Sequence, residues 1–125
     1  MLILARKPTQ AVKIGGGLTI TVRQIDREAN RSVVRLVFEG TPGVDLGSGS
    51  TATPTERGHQ LRVWDVTAQR DDVVQGTLEA GATRFCITIC QIRGQTVRLG
   101  IEVADDVPIW RIEPVRRDAE RIDGP

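Results

Sequence analysis

Few side chains in this sequence could do chemistry, and they are scattered. Arg6 and Lys7 stand together at the end of the opening run "MLILARKP", and Arg111 stands in "VPIWRI" near the other end. Guanidinium and ammonium groups bind phosphate, and a guanidinium can also read a guanine edge through two hydrogen bonds. The other reactive types lack companions. His59 has no Asp, Ser or Cys at a spacing that would make a catalytic pair. Cys86 and Cys90 have no further Cys or His beside them, so a zinc site is not expected. Asp71-Asp72 and Asp105-Asp106 read as solvated turns rather than metal ligands. Gly15-Gly16-Gly17 leads into a strand, not a helix, which makes it a hairpin turn and not a phosphate loop. No nucleophile–base constellation is present. The chain is therefore expected to be neither an enzyme nor a cofactor protein.

Charge and composition narrow the binding classes. A formal net charge of +1 means that any basic surface must be local. Two Trp, two Phe and no Tyr argue against rows of stacking aromatics. On a strand, Cys86 and Cys90 would lie roughly 13 Å apart on one face, too far for a disulfide. Reduced thiols fit a cytoplasmic location. No apolar run of about 18 residues and no signal-peptide pattern occurs, so no membrane association is expected.

The elements that must position the cations are mostly strands. "MLILARK" gives the first and "AVKIG" a short second. "LTITVRQI" sets Leu18, Ile20 and Val22 against Thr19, Thr21 and Arg23, a period of two. "DREANR" reads as a turn, "SVVRLVFEG" as the fourth strand, residues 41–59 as a flexible loop, and "QLRVWDV" as the fifth strand. "VVQGTLEAG", "RFCITICQI", "TVRLGIEV" and "VPIWRI" follow. Beyond Pro114, Val115, Ala119 and Ile122 fall at helical spacing, which predicts a short C-terminal α-helix.

The halves resemble each other. "LTITVRQI" aligns with "FCITICQI", "VVRLVFEG" with "TVRLGIEV", and "LRVWDV" with "VPIWRI", the last pairing Trp64 with Trp110. This predicts a first copy over 1–66 with five strands, and a second copy over 67–125 that lacks strand one. The matched Trp residues would pack near a pseudo-twofold axis. Arg35 and Arg98 would be equivalent structural positions.

"MLILARKPTQAVKIGGGLTITV" closely resembles the start of the carbon storage regulator family (CsrA/RsmA). "GQTVRLGIEVADDVPIWRIE" resembles that family's second half. The resemblance covers most of the chain outside the 41–59 loop and residues 67–77. It implies a mainly β fold of intertwined antiparallel sheets, here built from two fused copies. The chain would be a monomer acting as a pseudo-dimer, with a homodimer as the alternative.

The family implies a bacterial, cytoplasmic translational regulator. Its members bind single-stranded GGA motifs in hairpin loops of mRNA leaders or small RNAs, and some are bound by protein antagonists. The RNA surface joins strand one of one copy to strand five of the other. Here that surface would contain Leu4, Arg6, Lys7, Val107, Ile109 and Arg111, with Arg6 and Lys7 reaching the RNA. "MLILARK" would be held by pairing with the last strand. In a second surface the arginine position would fall on Asp65, which repels phosphate, so one site per chain is expected. Departures from the family include Ala5, the Asp105-Asp106 pair and Trp110. The alternative function is a protein-interaction module of the same fold that has lost RNA binding.

Overall fold

In the computed structural model, strands form where the sequence alternates. Leu18, Ile20 and Val22 are fully buried, while Thr19 and Thr21 stay half-exposed. The structure describes residues 1–47, the backbone of 53–57, and 61–113. The strands described are β1 (Leu2–Arg6), β2 (Ala11–Ile14), β3 (Leu18–Glu28), β4 (Arg31–Gly40), β5 (Asp45–Leu46), β6 (Thr53–Arg57), β7 (Leu61–Ala68), β8 (Val73–Leu78), β9 (Thr83–Arg93), β10 (Thr96–Val103) and β11 (Ile109–Ile112). A 3-10 turn, Glu79–Gly81, joins β8 to β9. Among the described residues no helix is long and apolar enough to cross a membrane.

The strands form two antiparallel sheets. One has the order β1-β10-β9-β8-β5 and the other β11-β2-β3-β4-β7-β6. Their inner faces share one core, with Leu4, Ile87 and Leu99 from the first sheet and Ile14, Ile20 and Phe38 from the second.

The sheets share one connectivity. Replacing β1, β2, β3, β4 and β5 by β7, β8, β9, β10 and β11, and the reverse, converts the first order into the second, with β6 added at one end. The registers agree as well. Leu4 faces Leu99, and Val66 faces Leu36. Ala11 faces Thr21, and Val73 faces Thr88. Ile109 faces Ile14, and Leu46 faces Gly76. The register break between Val22 and Gln24 on β3 recurs between Ile89 and Gln91 on β9. Even a left-handed residue repeats. Thr9 (φ 78°) donates its N–H to the Val22 carbonyl, and Asp71 (φ 74°) donates to the Ile89 carbonyl, each at 2.7 Å.

Each half therefore completes the other's sheet. β8, β9 and β10 are flanked by β1 and β5, and β2, β3 and β4 are flanked by β11 and β7. Arg35 and Arg98 do hold equivalent positions, opposite Thr67 and Ala5.

The hydrogen-bond register corrects several sequence expectations. "LRVWDV" is not a fifth strand matched to "VPIWRI". It lies in β7, which takes the place that β1 takes in the first sheet, so the second half has its first strand. A break at residue 66 falls inside that strand. The fifth strand of the first half is Asp45–Leu46, within the stretch expected to be loop, and β6 lies in that stretch too. Trp64 faces Phe38 and is buried, whereas Trp110 faces Lys13 and is exposed, so the two are not symmetry mates. The opening strand pairs with β10, not with the last strand. The "DREANR" turn shrinks to Ala29 (φ 53°) and Asn30, because β3 and β4 pair out to Glu28 and Arg31. The helix expected beyond Pro114, and His59, lie outside the described residues.

Gly76 shows how tightly the short fifth strand is held. A Cβ on Gly76 would collide with the Asp45 carbonyl oxygen and the Phe85 ring, whereas one on Gly16 would meet nothing within 4 Å. Gly76→Ala is expected to cost about 1–3 kcal/mol by overpacking. Gly16→Ala is expected to stay within about 0.5 kcal/mol of the parent. Urea denaturation of both variants checks the difference.

Candidate nucleic-acid interface

The strand exchange brings two sheet edges together from opposite ends of the chain. β1 is one edge of the first sheet and β11 one edge of the second. At one end Arg6 joins them. Its Nη1 donates to the Glu113 carboxylate (Oε1, 3.0 Å), the Ile112 carbonyl (3.5 Å) and the Ala11 carbonyl (3.2 Å). Its Nε donates to the Ala5 carbonyl at 2.7 Å. Gln10 Nε2 donates to the other Glu113 oxygen (2.7 Å), and the Lys7 amide donates to Gln10 Oε1 (2.9 Å). At the other end a cleft of about 330 Å³ is lined by Met1, Leu2, Val103, Asp105, Val107 and Ile109. Arg6 meets Ile112 while Leu2 shares a cleft with Ile109, so the two strands run in the same direction.

Strand parity decides which side chains face this groove. Arg111 lies opposite Val12, and Ile109 opposite Ile14, both fully buried residues of the inner face. Arg111 and Ile109 therefore project on the side that faces β1. Arg111 is exposed and makes no ion pair among the described residues, on an edge strand whose last three residues are all exposed. Trp110 projects to the outer face, with the Lys13 ammonium 5.7 Å from its ring centroid.

The six residues expected from the sequence divide by task. Lys7 and Arg111 are exposed, and Val107 and Ile109 are half-buried. Leu4, at 3% exposure, belongs to the core. Arg6 does not reach outward: it is 6% exposed and spends its donors on the strand junction. Strand parity is the cause: Arg6 lies two residues on from Leu4 and so shares the inner face with it. Glu113 and Gln10 complete the junction and were not singled out by the sequence. No motif marks them, because the contacts of Glu113 with Arg6 and with Gln10 cross about a hundred residues of chain.

Charge is unevenly spread along the groove. Lys7 and Arg111 stand toward the Arg6 end, and Glu102 and Asp105 line the cleft at the other. An anion is favoured at the first end and opposed at the second.

Asp65 is not the counterpart of Arg111. Register places it opposite Val37, as Ile3 lies opposite Gly100, and it pairs with Arg23 at 3.8 Å. Sequence spacing from Leu46 and Ile109 makes Ser48 the counterpart of Arg111, outside the described residues.

Arg6→Ala is expected to lose about 1–3 kcal/mol, because three backbone carbonyls and a carboxylate lose a donor in a largely buried junction. Lys7→Ala is expected to change stability by less than about 0.5 kcal/mol. Equilibrium urea unfolding distinguishes a junction residue from a surface one.

No family model, no curated protein and no solved structure compared with this chain matches it.

Proposed function

We propose that this chain is an RNA-binding translational regulator that grips single-stranded GGA in a hairpin loop at the β1/β11 groove. The observation that carries the proposal is that β1 and β11 flank one groove, tied by Arg6 at one end and sharing a cleft at the other, with Arg111 on the groove side and without an ion pair among the described residues. That juxtaposition of a first strand with the other copy's fifth strand is what the resemblance to the carbon storage regulator family implies.

The chemistry follows from the side chains. Arg111 has the donor fork that suits guanine O6 and N7. Lys7 neutralises phosphate at the same end. Val107 and Ile109 supply an apolar floor, and Leu4 and Arg6 hold the strands at a fixed separation from beneath. Unpaired backbone groups on the two strand edges add donors and acceptors for base edges. The fold carries one such site per chain and acts as a monomeric pseudo-dimer. In the equivalent place on the other side, β6 pairs with the edge of β7, Ala68 stands where Arg6 stands, and the sequence position that corresponds to Arg111 is a serine, Ser48.

Exposed Leu2, Ile3 and Ile112 favour a second reading, a protein-interaction module. Salt separates them, since RNA affinity falls steeply with ionic strength and an apolar protein contact does not.

A fluorescent hairpin with GGA in its loop, titrated at two salt concentrations, is expected to saturate at one RNA per chain. Arg111→Ala is expected to weaken binding by roughly 10- to 100-fold, the value of one bidentate base contact. Absence of binding at low salt overturns the RNA reading. Sedimentation equilibrium is expected to return the 13.7 kDa of a single chain.

A further inference from the structure

We propose that Trp110 is a base-stacking platform, and that the nucleotide next to the guanine held by Arg111 lays its base on the indole. This rests on the RNA reading above and adds a residue that sets affinity for an unpaired flanking base.

Three observations carry it. Trp110 is 47% exposed, although a Trp with no partner surface is ordinarily drawn into a core, as Trp64 is at 2%. The indole is not loose: Lys13, directly across the ladder, places its ammonium 5.7 Å from the ring centroid. That cation–π contact orients the ring and leaves part of it open. Finally, Trp110 and Arg111 are consecutive residues of an edge strand, so they project to opposite sides of it. A nucleotide strand crossing that edge can give one base to Arg111 in the groove and the next to Trp110 on the outer face. The Lys13 ammonium, held at the same ring, adds a cation on that outer face for the RNA backbone. Stacking tolerates any base, so this contact adds affinity without adding sequence.

The two Trp residues make the test direct. Acrylamide quenches exposed indole, so it reads Trp110 over buried Trp64. Adding the GGA hairpin is expected to quench Trp110 emission and shield it from acrylamide. Trp110→Ala is expected to weaken binding roughly 5- to 100-fold with an unchanged salt slope, and Trp110→Phe to recover most of it. Lys13→Ala is expected to lower the salt slope. A hairpin made abasic at each position flanking GGA in turn should bind the parent and Trp110→Ala equally at one of them. Hairpin binding that is indifferent to Trp110→Ala, or that leaves Trp110 open to acrylamide, overturns this inference alone. A parent chain that does not bind the hairpin at all overturns it together with the RNA reading.

Discussion

Everything in this fold depends on the exchange of outer strands between the two halves. Three central strands of each half form a hairpin-connected sheet whose edges are closed by strands of the other half. An unpaired edge in a sheet with one buried face is an invitation to wrong pairing. Here β1 pairs along all of Leu2–Arg6 with β10, and β7 pairs along seven residues with β4. Neither half can bury Leu4 or Val66 without the other, because those side chains sit on the exchanged strands and pack in the common core. The exchange is long in sequence and so costs loop-closure entropy, which grows only slowly with length. Placing both halves on one chain removes the further cost of bringing two subunits together.

The same exchange creates the groove. β1 belongs to one sheet and β11 to the other, and their edges meet only because each has crossed over. Arg6 then ties them through two carbonyls beyond its own strand and one carboxylate. Backbone carbonyls accept these bonds, so the tie fixes strand position more than side-chain position. The cost of burying a guanidinium is offset by this number of acceptors. Lys7 and Arg111 stand at the junction end of the groove, while Glu102 and Asp105 line the cleft at the other. Symmetry in the backbone has thus been kept while symmetry in the side chains has been lost. Arg6 has Ala68 as its counterpart, Arg111 corresponds in sequence to Ser48, and β6 pairs with the outer edge of β7 whereas among the described residues no strand pairs with the outer edge of β1.

Much of this was legible in the sequence, for a definite reason. Strands with one buried face alternate, so "LTITVRQI" and "TVRLGIEV" announced β3 and β10, and their partners in the other half shared enough side chains to reveal the repeat. Register was less legible. "LRVWDV" and "VPIWRI" share a Trp and a β pattern, but side-chain type says nothing of which strand lies alongside. The recurring bonds from Thr9 to Val22 and from Asp71 to Ile89 do say so, and they put Leu61–Ala68 in the role of Leu2–Arg6. A two-residue strand such as Asp45–Leu46 has no period to read, and a Gly/Ser-rich stretch hides it. At the site, the sequence marked the right strands and misjudged Arg6, because parity buries a charge there that looks free at a strand's end.

The proposed function places a hairpin loop in one groove, built from β1 and β11. Amide chemical-shift mapping of the ¹⁵N-labelled chain, titrated with the GGA hairpin, tests it most directly. Binding in this groove predicts perturbations confined to Leu4–Lys7 and Val107–Ile112, with β7 unmoved. Perturbations on Leu61–Ala68 instead, or none at RNA saturation, would contradict it.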